Sequence, residues 1–127
     1  MKVRRWLPPL LWAGVILVAT SLPGRWIPST AWPFDNVVHL DKVVHFSMYG
    51  VFATLLAREA VLVLGGWQSL IITVGLVSAF GAADEWHQQF IPGRTTELAD
   101  WQADTLGAAV GAIGAIAYRA ARTSRGQ

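Results

Sequence analysis

Apolar residues in this chain come in long runs separated by short polar or turn-rich stretches. The first run is Trp6 to Leu22, after the basic start Lys2, Arg4 and Arg5. The second begins near Asp41 and runs through Val43 to at least Ala57; beyond Arg58 and Glu59 it resumes at Ala60 to Leu64. The third, Trp67 to Trp86, has a tryptophan at each end, and the fourth runs from Trp101 to Tyr118. Twenty helical residues at about 1.5 Å per residue cover roughly 30 Å, the thickness of a bilayer core. The pattern predicts an all-α fold, a transmembrane bundle of about four helices.

The stretches between the runs read as connections. Residues 23–40 carry Pro23, Gly24, Pro28 and Pro33, which signal turns, while Trp26, Trp32 and Phe34 suit a segment lying in the membrane interface. Gly65-Gly66 breaks the chain before the third run. Phe90 to Ala99 is a loop whose Pro92-Gly93 pair predicts a turn. Residues 119–127 form a basic tail, expected to fray. Two points stay open. Residues 1–22 read either as a cleaved signal peptide or as a retained first helix, and the membranous character of the rest favours retention. Arg58 either marks the water surface or snorkels from a helix that continues.

Composition agrees with lipid as the solvent. Of 127 residues, 54% are hydrophobic and 14% charged, against about 25% charged in a soluble domain. There is no cysteine, so disulfides and thiolate metal sites are excluded. A net charge of +2 is too weak to suggest nucleic acid as a partner. Four spans put both termini on one side. With the N-terminus inside, seven of the ten basic residues (Lys2, Arg4, Arg5, Arg58, Arg119, Arg122, Arg125) become cytoplasmic. That bias predicts an N-in, C-in topology with residues 23–40 and the Phe90–Ala99 loop outside.

On that topology the unusual polar residues gather at one face. Asp41, His45 and Tyr49 are spaced four apart and share a helical face. The third run ends in Asp84, Glu85, His87 and Gln88, the loop supplies Arg94, and the fourth run opens with Asp100 and Asp104. Ionisable groups a turn or more inside helix ends are costly and mark either a site or an internal network. His45, Asp84 and Glu85 are the candidate catalytic groups, because a histidine oriented by a carboxylate can act as acid or base. Lys42, Tyr49, Gln88 and Arg94 are the candidate substrate-binding groups, with Arg94 suited to a phosphate or carboxylate. Asp84, Asp100 and Asp104 could hold a divalent cation through oxygen ligands. Asp41, Gly107 and Gly111 complete the cluster structurally. Gly107 and Gly111 form a GxxxG pair, with Gly114 on the same stripe, and permit a close helix approach either within the chain or to a second copy. Blander readings stand beside these. Lys42 and Glu85 suit solvated helix ends, His87 an interfacial position, Trp86 and Trp101 belt anchors, and Tyr49 a core position with a satisfied hydroxyl.

Three blocks give the chain a family resemblance. Asp41–Gly50 (DKVVHFSMYG), Ala83–Arg94 (ADEWHQQFIPGR) and Asp100 followed by Asp104 and Gly107 keep the order and spacing of the VanZ-like family over residues 35–118. Asp104 stands where the family pattern usually has Asn, which adds a carboxyl group balanced either by its own proton, by a cation or by Arg94. The resemblance implies a multi-pass protein of the bacterial inner membrane, whose named member is linked to resistance to the glycopeptide teicoplanin. A membrane lipid or lipid-linked envelope precursor is the expected ligand. A non-enzymatic accessory protein, with the cluster as a structural clasp, is the alternative. A transporter would need an inner polar path, for which Arg58, Glu59, Gln68, Ser69 and Thr73 are the only candidates.

Overall fold

The computed structural model describes residues 3–26 and 40–126. Four helices follow in order: α1 (Leu7–Thr20), α2 (Leu40–Ala60), α3 (Gly66–Gln88) and α4 (Leu98–Ser124). Among the described residues the fold is all-α, as the runs predict. A short 3-10 turn, Val3–Trp6, leads into α1, and another, Gly24–Trp26, follows it. Trp32, Phe34 and the prolines at 28 and 33 lie outside the described residues.

The helix ends extend beyond several of the apolar runs. α2 continues through Arg58 and Glu59 to Ala60, so Arg58 sits in its last turn. A cation in the last turn is favoured by the helix dipole. Backbone turns then carry the chain to Gly65, whose φ of +33° is open to glycine and strained for other residues. α4 begins at Leu98 rather than Trp101 and runs on to Ser124, so most of the tail expected to fray is helical. Alanine and arginine, both good helix formers, fill that extension.

α2 and α4 pack most closely, and glycine is the reason. A Cβ at Gly107 would collide with the carbonyl of Phe46, and one at Gly111 with the carbonyl of Gly50. Thr54 Oγ1 donates across the same seam to the Gly111 carbonyl at 3.2 Å. The GxxxG face is therefore occupied by α2 of the same chain, and a second copy would need a different surface. Gly114 meets nothing within 4 Å and does not belong to the seam.

The distribution of side chains is inside-out. The interior consists largely of small or polar residues, including Ala53, Ala57, Ala108, Ala112, Ser69, Thr73, Asp84 and Asp104, with Tyr49, Phe52, Ile16 and Val77 as its larger apolar members. The outside carries Leu10, Leu11, Val18, Ile71, Leu76, Leu106 and Val110, all exposed. α1 is part of this assembly. Ile16 is fully buried, and Trp12 Nε1 donates to the Met48 carbonyl of α2 at 2.9 Å.

Candidate functional site

The C-terminal ends of α1 and α3 and the N-terminal ends of α2 and α4 meet at one end of the bundle. Almost every polar residue singled out in the sequence lies there. The structure sorts them into three groups with different partners.

The first group is centred on Asp84. Its carboxylate is 1% exposed and accepts three hydrogen bonds: from Thr20 Oγ1 at 2.7 Å, Tyr49 OH at 3.0 Å and Gln88 Nε2 at 3.2 Å. The donors come from α1, α2 and α3 itself, so Asp84 pins three helices together. A buried carboxylate with its lone pairs so engaged is stabilised where it sits and has little capacity left for a metal. Of the two read as substrate-binding, Tyr49 spends its hydroxyl on this acid and Gln88 shares its amide nitrogen between Asp84 and Glu85.

The second group closes the rim. Lys42 Nζ lies 2.6 Å from each of Asp41 Oδ2, Glu97 Oε2 and Asp100 Oδ1. The ammonium occupies the centre of three carboxylates that could otherwise share a cation. Lys42 lies in the first turn of α2. Burial alone would lower the affinity of its amine for a proton, but hydrogen bonds to Asp100, Asp41 and Glu97 outweigh that and hold its pKa above the ordinary lysine value. Burial pushes the Asp41 carboxyl up, and its bonds to Lys42 bring it back below its usual value.

Arg94 belongs to the rim as well. Ile91 to Arg94 form a turn with a 3.1 Å bond from the Arg94 N–H to the Ile91 carbonyl, Pro92 at its second position and Gly93 at φ +76°. This is the geometry of a type II turn. The turn leans on the end of α1: Gly24 N donates to the Pro92 carbonyl at 3.0 Å, and a Cβ on Gly24 would collide with Gly93. Arg94 then caps α1, with Nη2 donating to the Ala19 carbonyl at 2.8 Å and Nε to that of Leu22 at 3.1 Å. A guanidinium on the last carbonyls of a helix satisfies orphan acceptors and complements the dipole. Arg94 therefore does not balance Asp104.

The third group is His45, Glu85 and Asp104. His45 Nδ1 and Asp104 Oδ1 are hydrogen-bonded at 2.9 Å, and Glu85 Oε1 lies 4.0 Å from the same nitrogen. The imidazole stacks on Tyr49, with ring centroids 6.3 Å apart. Asp104 is 0% exposed, and its second oxygen, Oδ2, has no hydrogen-bond partner among the described residues. It fits only because residue 81 is glycine; a Cβ there would sit 2.9 Å from Oδ2. Glu85 is engaged more loosely, by Gln88 Nε2 at 3.4 Å and by the backbone N–H of Glu97 at 3.3 Å. One ligand atom from each of the three residues falls within 4.8 Å of the others. A histidine nitrogen and two carboxylate oxygens suit a divalent cation better than the expected set of Asp84, Asp100 and Asp104, whose members have separate partners. Without a cation, the same trio is a histidine oriented by one acid and flanked by another.

Beside this trio lies a cavity of about 210 Å³, lined by Gly24, Asp41, His45, Gln88, Gly93, Arg94, Thr95, Glu97 and Asp100. Its walls combine acceptors on the acids with the imidazole of His45. Of the two expected belt anchors, Trp86 is exposed, whereas Trp101 is half-buried and donates to the Ser78 carbonyl at 3.0 Å. His87 is half-buried and stands apart from the trio. Sequence reasoning passed over Thr20, Gly81 and Glu97. Glu97 alone had a visible signal, as an acid within the polar stretch; nothing local marks Thr20 or Gly81.

These features define a four-helix protein with an apolar exterior, an acid and histidine cluster at one end, and one described helix, Gly66–Gln88, long and apolar enough to cross a membrane. The chain belongs to the VanZ/LLP1 family, whose sequence model matches residues 7–119. The match takes in α1, which the span 35–118 had left out. No curated protein and no solved structure matches the chain significantly. Family membership supports a membrane protein of the VanZ type.

Proposed function

We propose that the chain is a multi-pass membrane protein, N-in and C-in, whose extracytoplasmic end binds the head group of a cell-envelope lipid or lipid-linked precursor. The inside-out packing supports the multi-pass reading. α2 and α4 carry polar residues, but these face each other, while Val43, Val44 and Val51 on α2 and Leu106, Val110 and Ile113 on α4 are exposed. Apolar surface of that extent on a soluble monomer would be a liability. Small residues in helix seams are the usual means of close packing in lipid.

The observation that carries the site is the polar cavity beside a trio containing a buried, unpartnered carboxylate oxygen. The cavity chemistry narrows the ligand. Three acids, Asp41, Glu97 and Asp100, line the cavity against one guanidinium, and Arg94 already donates two of its N–H groups to the end of α1, so the lining is richer in acceptors than in donors. A head group presenting hydroxyl or amino donors, as a sugar does, fits it better than a bare phosphate. His45, hydrogen-bonded to Asp104 and near Glu85, would orient that group or exchange a proton with it. The association of the family's named member with teicoplanin resistance makes glycopeptide susceptibility a phenotype worth measuring.

The test is mass spectrometry of lipid retained by the purified protein. Wild type should carry an envelope lipid that H45Q and E85Q variants lose while inserting normally and keeping their helicity. Equal retention by both variants would refute the site.

The rim and the Asp84 node favour one alternative, a non-enzymatic protein in which the cluster only clasps helix ends. On that reading no lipid is retained selectively, and all polar variants act through stability alone.

A further inference from the structure

The opposite end of the bundle carries a second concentration of charge. There Arg5 from the segment before α1, Arg58 from the last turn of α2, and Arg119 and Arg122 from α4 line one cavity of about 600 Å³. This volume is within the roughly 300–1,000 Å³ usual for ligand sites. Glu59 is the one acid in its lining, and among the described residues none of the four arginines makes an ion pair within 4 Å. Like charges brought together from three segments repel one another unless something negative lies between them. The cavity is also partly apolar: Leu62 and Ala115 line it, and the Arg122 guanidinium lies 5.9 Å from the centroid of the Tyr118 ring. That contact holds the fork of Arg122 over an aromatic face. Bidentate guanidinium forks set among apolar walls match a phosphoryl group attached to something greasy.

We propose that this cleft is a binding site for a phosphoryl anion, filled in the membrane by the head group of an anionic phospholipid. Arg119 and Arg122, one helical turn apart on α4, form one side of the clamp and Arg58 the other. The site shares no residue with the acid and histidine cluster, and neither proposal depends on the other.

The test uses the full chain in nanodiscs of phosphatidylcholine with a minority of phosphatidylglycerol, with bound lipid counted by native mass spectrometry. Wild type should prefer phosphatidylglycerol roughly tenfold, the order expected for arginines at a lipid phosphate. The preference should disappear in R119Q/R122Q and persist in R125Q, which removes a charge from the same helix outside the cleft. Inorganic phosphate added to the protein in pure phosphatidylcholine separates the sources. A rise in melting temperature there assigns the cleft to a free anion, and no rise, together with the lipid preference, assigns it to the head group. If R119Q/R122Q fails to fold, R58Q alone should weaken the preference several-fold. Absence of any preference in wild type together with no response to phosphate, retention of the preference in R119Q/R122Q, or its equal loss in R125Q would each overturn the proposal.

Discussion

Asp84 and Asp104 are both aspartates at the same end of the bundle, 1% and 0% exposed, yet their surroundings differ in kind. Asp84 accepts from Thr20, Tyr49 and Gln88 and joins three helices. Asp104 has one oxygen on His45 and the other, among the described residues, without a partner, in a space left by Gly81. Burying a polar group is tolerable when it is hydrogen-bonded and costly when it is not. The first acid contributes to stability, while the second draws on it. A bundle that keeps an unpartnered oxygen beside a histidine and a second acid keeps it at a cost, and such costs concentrate where chemistry or binding happens. The comparison separates the part of the cluster that holds the bundle together from the part proposed to serve a ligand through His45.

Removing the first acid should have the largest effect. Asp84→Ala leaves the buried Tyr49 hydroxyl without an acceptor, while Thr20 keeps the Ile16 carbonyl and Gln88 keeps Glu85; with the link between three helices gone, the loss should reach about 3 kcal/mol, the upper end for one buried orphan. Thermal unfolding in detergent, followed by circular dichroism, would show it as a large drop in melting temperature. Gly111→Leu tests the seam that brings α4 against α2. Its side chain would meet the Gly50 carbonyl, a backbone atom that cannot swing away. Overpacking of this sort costs about 1–3 kcal/mol and should separate the helices enough to lower protease resistance.

The rim should matter least. Lys42→Met removes the ammonium shared by Asp41, Glu97 and Asp100, and a partly exposed cluster of this type is worth about 1 kcal/mol or less. Its pH profile is specific. The Lys42 pKa is raised, so its contribution is complete below the unfolded value of about 10.4 and is lost only as pH climbs through the higher folded value. The Asp41 pKa is lowered, so its share is complete above about 3.9 and is lost as pH falls through the folded value. The difference in melting temperature between wild type and K42M should therefore stay flat from about pH 5 to pH 9. It should shrink with added salt.

Much of this was legible in the sequence, for physical reasons. Helices of 14 to 27 residues announce themselves as apolar runs. The Pro92-Gly93 pair predicts its turn because proline fixes one backbone angle and glycine alone enters the other freely. The alignment of Asp41, His45 and Tyr49 follows from helical period, and GxxxG implied a close approach. Partnership did not follow from any of these. Asp84, Asp100 and Asp104 are chemically the same residue, and only the packing assigns Asp84 to Thr20, 64 positions away, Asp100 to Lys42 and Asp104 to His45. Arg94 looked like a ligand-binding cation because its acceptors, the carbonyls of Ala19 and Leu22, are groups every residue possesses and no sequence pattern marks. The continuation of α4 to Ser124 was hidden for a related reason: its last turns are charged, and the apolar pattern ends before the helix does.

The division of labour between the two aspartates can be measured in a single comparison. Asn matches Asp in size and keeps one oxygen for His45, so Asp104→Asn should fold with a melting temperature within a degree or two of wild type, since a change of under about 0.5 kcal/mol moves it little. The same protein should lose the envelope lipid that wild type retains through purification, because the acid oriented on His45 is gone. A D104N protein that keeps the lipid in full, or one that loses it only together with its stability, would contradict the assignment of Asp104 to the binding site and leave the cluster as a clasp.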